Sequence, residues 1–350
     1  MALTDCLHRL WYGNTPLARV VSSSLLPLSA VFAYVANTRR LQMQRTSSDS
    51  LGCPIIVVGN LTVGGTGKTP LVIALVQYLR EQGLRVGIVS RGYGGKTSYP
   101  HKVTAHDPAV TGDEAALFFR HCDAPIVIDP NRVNAARSLL AQHPVDVIVS
   151  DDGLQHKPLP KDFTIAVVDG QRGFGNGRCL PAGPLREPVS SLRYVNACVV
   201  NQSTVGQLPS GVVTQCQQYA VTVAMKLVIS QPKPLAGTPL TSPPRAGDTV
   251  HAVAGIGNPQ RFFDTLSNLG YQVIPHAFAD HHAFDAADVR FDDELPVMMT
   301  EKDAVKCEAM ADLANHWVLP VQASLPQTFY QSIIDTLALQ PSSTLKGSLS

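Results

Sequence analysis

The apolar positions of this chain fall into short continuous runs set between helical stretches. Ile55-Ile56-Val57-Val58 places four β-branched residues in a row, the pattern of a strand covered on both faces. Further strand-like runs follow at Arg85–Val89, Ile126–Ile128, Val145–Val149 and Ile165–Val168, with a helix predicted over Lys68–Gln82 and helical spacing between the earlier runs. Strands that alternate with helices predict a parallel sheet with helices on both faces, and ligands collect at the carboxyl ends of its strands. From Gln202 to Arg245 the chain is rich in Ser, Thr, Gln and Pro. Tyr219, Val221 and Val223 alternate there before Leu227-Val228-Ile229, which reads as an extended hairpin and linker. A second, smaller α/β unit follows, with strands at His251–Ala254, Tyr271–Pro275, Val297–Met299 and Trp317–Leu319 and a helix over Pro259–Leu269. The expected organisation is an N-terminal helical segment (1–45), a core domain (46–205), the hairpin and linker (206–248), the C-terminal unit (249–335) and a frayed tail (336–350).

The N-terminal segment breaks this pattern. Val20 to Thr38 carries no charge, with Arg9 and Arg19 before it and Arg39, Arg40 and Arg45 after it. Its length just reaches that of a bilayer-spanning helix, but Ser22, Ser23, Ser24, Pro27 and Ser29 weaken the apolar signal. A helix lying in a membrane interface fits best, with Trp11, Tyr12, Phe32 and Tyr34 at headgroup depth and the arginines against anionic lipid. The competing reading is an amphipathic helix packed on the protein's own surface.

Composition narrows the function classes. The 350 residues suffice for two compact domains, and the 28 basic and 27 acidic side chains leave a net charge of +1, so no global field points to nucleic acid. The seven cysteines are odd in number and scattered without a C-x-x-C pair, which argues against a disulfide framework or zinc site and for a reducing setting.

The chemistry concentrates after the first strand. Thr62-Val63-Gly64-Gly65-Thr66-Gly67-Lys68-Thr69 is a glycine loop between a buried strand and a helix start, so its N–H groups can turn toward phosphate oxygens. Lys68 supplies charge for the β- and γ-phosphates, and Thr69 a hydroxyl ligand for Mg²⁺. The loop departs from G-x-x-x-x-G-K-[ST] at its first position, where Thr62 stands. The fold expected is therefore α/β, a P-loop NTPase-like parallel sheet joined to a smaller C-terminal α/β domain and an N-terminal membrane-associated helix. Asp151 and Asp152 follow an apolar strand, the place from which a carboxylate reaches the metal of a phosphate loop. Gln155 and His156 stay close if the turn is tight. Asp113 and Glu114 open a helix, where they are helix-dipole partners or, in a kinase, groups that orient or deprotonate a hydroxyl; the residues alone leave this open. Asp280-His281-His282 lacks further ligands at zinc spacing, and a histidine hydrogen-bonded to a carboxylate is the better functional reading. Thr300-Glu301-Lys302-Asp303 differs in spacing from the guanine-reading N-K-x-D, so GTP specificity is not implied.

Together these segments resemble the tetraacyldisaccharide 4′-kinase family, the lipid A 4′-kinases of Gram-negative bacteria. The likeness extends from Val58–Pro70 through Ser90–Gly94, Gly112–Glu114, Asp151–His156, Gly173–Gly177, Leu180–Pro188, Gly255–Pro259 and Asp280-His281 to Thr300–Lys306. Thr62 belongs to that family's pattern. The resemblance implies ATP- and Mg²⁺-dependent phosphorylation of the 4′-hydroxyl of a tetraacylated glucosamine disaccharide 1-phosphate, giving lipid IV-A at the cytoplasmic face of the inner membrane. It implies Lys68 and Thr69 on triphosphate and metal, Asp151 or Asp152 on the metal, Asp113 on the substrate hydroxyl, and His281 paired with Asp113. Arg91, Glu114, Gln155, Arg186 and Glu187 would line the site. The partners expected are the lipid substrate and a membrane surface, with no nucleic acid and no obligate protein partner. A membrane-associated partitioning or metal-insertion ATPase is the alternative enzyme, although Val63 stands where those usually carry lysine; a module that uses ATP structurally is the non-enzyme alternative.

Overall fold

The computed structural model describes residues 3–13, 15–45, 50–156, 158–202, 210–235, 242–310 and 313–341. Among them, β1 Ile55–Gly59, β2 Val86–Ser90, β3 His101–Lys102, β4 Ile126–Ile128, β5 Val147–Asp151, β6 Phe163–Asp169, β7 Ala197–Gln202, β8 Val221–Ile229, β9 Lys233–Pro234, β10 Thr249–Ala254, β11 Gln272–Ala277, β12 Val297–Thr300, β13 His316–Leu319 and β14 Val321–Ser324 form two sheets. The larger runs β14-β8-β7-β6-β1-β5-β2-β4-β3 and is parallel except at its edge strands β3 and β14. β1 is central because both its faces are covered. Ile56 and Val58 meet Leu71, Leu75 and Leu79 of the helix Lys68–Glu81, and Ile55 and Val57 meet Ala135, Ala136 and Leu139 of the helix Arg132–Gln142. The smaller sheet runs β11-β10-β12-β13-β9, parallel except for the two-residue edge β9. Phe262, Phe263 and Leu266 of the helix Pro259–Asn268 pack on it with Trp317. Loops at the carboxyl ends of the strands of both sheets face one cleft.

Two boundaries differ from the sequence reading. The stretch read as hairpin and linker contains a helix, Ser210–Gln217, and β8, which pairs in parallel with β7 and extends the large sheet. β7 itself was not predicted. The helix is short and polar, and β8 alternates because it is half-covered, so the period alone suggested a solvent-facing hairpin. The end of the C-terminal unit also departs from the expected 249–335. β14 pairs with β8, and the helix Gln327–Thr336 packs on the helix Lys68–Glu81, with Tyr330 stacked on Tyr78 at 4.5 Å between centroids. An alternating strand carries no mark of which sheet it joins. Residues 342–350 of the expected tail lie outside the described residues.

The N-terminal segment is three helices rather than one: Leu3–Tyr12, Pro16–Ser24 and Leu26–Arg45. No single helix among the described residues is long and apolar enough to cross a membrane; Pro16–Ser24 and Leu26–Thr38, bent by 57° at their junction, pass that test as a pair. The serines that dilute the apolar signal in sequence are turned inward. Ser22 Oγ donates to Ala182 O at 2.6 Å and Ser29 Oγ to Cys179 O at 2.8 Å. The outward face is left to Leu17, Val20, Leu28, Val31 and Tyr34, each at least 60% exposed. Trp11 and Tyr12 do not share that face. Trp11 Nε1 donates to Pro181 O at 3.0 Å, and the Arg172 guanidinium lies 5.4 Å from the centre of the Tyr12 ring, so both belong to the protein's own packing. The side chains of Arg39, Arg40 and Arg45 lie outside the described residues.

Candidate active site

The phosphate loop leaves β1 and is held from outside by a second segment. Val63 N–H donates to Pro184 O at 2.9 Å, Arg186 N–H to Leu61 O at 2.6 Å, and Asn60 Nδ2 to Thr62 O at 2.8 Å. Thr62 forms an isolated bridge with Leu185, so the 180–188 segment serves as a brace for the loop. Gly67 caps the helix Lys68–Glu81 at φ 93°, a left-handed conformation that a side chain would strain. Asn201, at the end of β7, donates from Nδ2 to Thr66 O at 2.9 Å and fixes the loop from below.

Asp151 ends β5 and Asp152 turns away from it at φ 47°. The two carboxylates differ sharply in environment. Asp151 is 1% exposed, its Oδ1 has no partner among the described residues, and Oδ2 accepts a long 3.4 Å bond from Ser90 Oγ. Burial pushes its carboxyl well above the ordinary range, Glu114 adds to this, and Lys68 opposes it. Burial acts the same way on Asp152, but Lys68, Arg186 and Arg132 outweigh it and hold that carboxyl below its usual value. Lys68 Nζ lies 3.5 Å from Asp152 Oδ1 and Arg186 Nη1 3.3 Å from the same oxygen. Gln155 links this group onward, donating from Nε2 to Asn60 O at 3.1 Å and to Glu187 Oε1 at 3.4 Å.

The buried, unpartnered Asp151 oxygen and the Thr69 hydroxyl on the phosphate loop are a donor set that suits Mg²⁺, a hard cation that takes oxygen ligands. Among the described residues no three His, Cys, Asp or Glu side chains converge on a metal position. A magnesium site completed by substrate phosphates needs one or two carboxylates, so the set is sufficient.

Across the cleft, Asp113 opens the helix Asp113–His121 and is 8% exposed. His281, on the loop after β11, is held at φ 62° with its Nδ1 3.2 Å from Asp113 Oδ2. Lys302 Nζ stands 3.3 Å from His281 Nε2. The Asp113 carboxylate can only accept, so a proton on Nδ1 is given to it. Burial alone would raise the Asp113 carboxyl, but the His281 hydrogen bond and the Lys306 and Lys302 charges hold it below its usual value. Lys306 Nζ is 3.7 Å from Asp113 Oδ2 and 2.9 Å from Asp303 Oδ1, while Lys302 Nζ is 3.7 Å from Glu114 Oε1. Lys306→Gln therefore moves the Asp113 carboxyl upward. If Asp113 acts as the base, the acid limb of the kcat–pH profile moves to higher pH with it; an unmoved limb separates Asp113 from that ionisation.

The structure thus brings Lys68, Thr69, Asp151, Asp152, Asp113, Glu114, His281, Gln155, Arg186 and Glu187 to one cleft. Arg91 stands further out, exposed, with its guanidinium 5.8 Å from the centre of the Tyr93 ring; that ring meets His281 edge-on at 4.7 Å. Sequence reasoning assigned no role to Lys302 or Lys306, although a lysine pair four apart just after a strand was a legible signal. It also missed Arg132, 5% exposed, whose Nη2 donates to Asp152 O at 3.2 Å, and Arg261, which donates to Asn201 Oδ1 at 2.9 Å.

The two sheets touch at the phosphate loop. A Cβ on Gly257 would lie 2.5 Å from Gly65 N, so the loop after β10 requires glycine to approach this closely. Beside this contact lies a cavity of about 220 Å³ bounded by Gly65–Thr69, Glu114, Phe262, Lys302 and Leu319. Phosphate-loop residues and apolar side chains such as Phe262 and Leu319 both line it.

The model of the family described as tetraacyldisaccharide-1-P 4′-kinase matches residues 21–338. The chain belongs to that family. Family relatives named tetraacyldisaccharide 4′-kinase include one from Alcanivorax borkumensis, 45% identical over 95% of this chain and 98% of its own length. Another, from Hahella chejuensis, is 45% identical over 93% and 95% respectively. Among solved structures, LpxK from Aquifex aeolicus in complex with ATP superposes with a TM-score of 0.71 at 25% identity, covering 90% of this chain and 99% of that one. Membership extends over both sheets, and it favours the family's kinase activity over the partitioning or metal-insertion ATPase alternative.

Proposed function

We propose that this protein transfers the γ-phosphoryl group of ATP to the 4′-hydroxyl of a tetraacylated glucosamine disaccharide 1-phosphate, forming lipid IV-A. The observation that carries the reading is the Asp113–His281 pair, contributed by separate units, whose neighbours Glu114 and Lys302 line the cavity beside the phosphate loop. In this reading Asp113 Oδ2 takes the proton of the acceptor hydroxyl, and His281 Nδ1–H keeps the carboxylate aimed. Lys68, Arg186 and Arg132 compensate phosphoryl charge, and the contact of Gly257 with Gly65 limits water at the γ-position. Mg²⁺ held by Thr69 and Asp151 or Asp152 would neutralise further charge on the β- and γ-phosphates. A loose phosphoryl-transfer transition state needs positioning and charge compensation more than covalent help.

The outward apolar face of the N-terminal helices supports a place at the cytoplasmic surface of the inner membrane, where the lipid acceptor resides. Burying such a face in the acyl boundary removes it from water, and the inward serines keep the helices fastened to the core. Replacing Leu17, Val20, Leu28 and Val31 together with Gln leaves the inward contacts untouched. The variant is expected to move from the membrane to the soluble fraction and to show a raised KM for lipid with KM for ATP unchanged; unchanged fractionation and kinetics would support a helix packed only for stability.

A further inference from the structure

Two histidines stand side by side after β11, and the site described above uses only the first. His281 reaches Asp113, whereas His282 turns into the smaller unit. Its ring stacks on Phe278 with centroids 4.7 Å apart and meets Phe284 edge-on at 4.9 Å. Its Nε2 lies 2.8 Å from Asp288 Oδ2. The Asp285 N–H and the His282 ring hold the Asp288 carboxyl below its usual value, so it stands as a carboxylate and a proton on Nε2 is given to it. Asp288 is itself fixed. In the capping box of the helix Ala286–Val289, Asp285 Oδ1 accepts from the N–H groups of Ala287 and Asp288, and Asp288 Oδ2 accepts from Asp285 N–H at 3.0 Å. Val289 of the same helix is wholly buried in the core of the smaller sheet.

His281 needs an anchor of this kind. Its φ of 62° lies in the left-handed region, which a residue with a Cβ keeps only where its surroundings fix it. The turn is closed by His282 N–H on Ala279 O at 3.0 Å and by His281 N–H on Gly255 O at a longer 3.3 Å. The backbone of His282 also serves the other partner of Asp113. Its carbonyl accepts from Lys306 Nζ at 3.2 Å, and that ammonium stands 3.7 Å from Asp113 Oδ2. One residue is thus tied on its amino side to His281 and on its carboxyl side to Lys306, while its ring is fastened to the core of the smaller unit.

We propose that His282 is a positioning residue: through its bond to Asp288 it holds the peptide behind His281 so that His281 Nδ1 and Lys306 Nζ both meet Asp113. The proposal rests on the kinase reading above and gives His282 no contact with the reacting atoms. The test measures kcat in full-length protein with saturating ATP and the lipid acceptor in mixed micelles. His282→Phe keeps a ring between Phe278 and Phe284 but removes the bond to Asp288. It should melt close to wild type, lose about tenfold to a hundredfold in kcat through misalignment, and leave KM for ATP unchanged. His282→Gln, whose amide can still donate to Asp288, should recover part of that loss. In a His281→Ala background His282→Phe should cost far less, because most of its effect passes through His281. Asp113 is faced by His281 from the loop after β11 and by Lys302 and Lys306 from the helix Glu301–Cys307, and these hold its carboxyl down. Loosening two of the three should move the acid limb of the kcat–pH profile of His282→Phe to higher pH. Wild-type kcat in His282→Phe, a loss fully multiplicative with His281→Ala, or an unmoved acid limb would each overturn the positioning role while leaving the kinase standing. Wild-type protein that phosphorylates no lipid would overturn the activity and the positioning role with it.

Discussion

Lys68→Ala lowers kcat by about a hundredfold to a thousandfold, because it removes a preorganised positive charge from a site that compensates the transferring phosphoryl group. Lys68 lies 3.5 Å from Asp152 and its side chain is 11% exposed, so its charge acts in a poorly screened setting. The fold should survive the change. Asp152 retains Arg186 at 3.3 Å and the field of Arg132, and so is not left as an uncompensated buried carboxylate. A thermal melt close to wild type together with the lost turnover is the expected pair of results. Near-normal kcat in a folded Lys68→Ala protein would remove the phosphate loop from the mechanism.

Asp113→Ala and His281→Ala each depress kcat strongly, and the double variant is little worse than the more damaged single one. The 3.2 Å contact between His281 Nδ1 and Asp113 Oδ2 makes them a single proton-handling unit, and groups that act as a unit lose activity non-additively. The neighbouring lysines sharpen the expectation. Lys306 at Asp113 Oδ2 and Lys302 beside His281 help hold the carboxyl below its usual value, which also limits its strength as a base. Orientation is then the larger part of what His281 supplies. His281→Gln, which can still donate to Asp113, should recover part of the activity lost in His281→Ala. Multiplicative losses in the double variant would show independent residues, and wild-type kcat in His281→Ala would eliminate the histidine.

Those residues also mark where sequence reading succeeds and where it stops. The phosphate loop was legible because strand, glycines, Lys68-Thr69 and helix are contiguous, so local periodicity and turn chemistry describe one object. The β5 carboxylates were legible for the same reason, although the strand ends two residues later than its apolar run, at Asp151 itself. The pairing of Asp113 with His281 was not legible from chemistry, since 168 positions separate them and only the packing of the two sheets joins them; the family resemblance implied it. Lys302 and Lys306 were passed over because their helix follows a strand of the smaller sheet, whose carboxyl end had not been placed against the phosphate loop. In the N-terminal segment, Ser22 and Ser29 counted against a membrane face until the structure turned them inward. Trp11 and Tyr12, expected at the headgroups, pack on the core because an aromatic ring serves either environment and sequence does not choose between them.

The most direct measurement of the central claim incubates purified protein with ATP, Mg²⁺ and the tetraacyl disaccharide 1-phosphate, following ADP release and the lipid product together. The expected result is ADP release that depends on the lipid, matched one for one by a new phosphate monoester at the 4′ position, with both signals lost in Lys68→Ala. ADP release that proceeds without lipid and leaves the lipid unmodified would contradict it, and would return the protein to the class of P-loop ATPases.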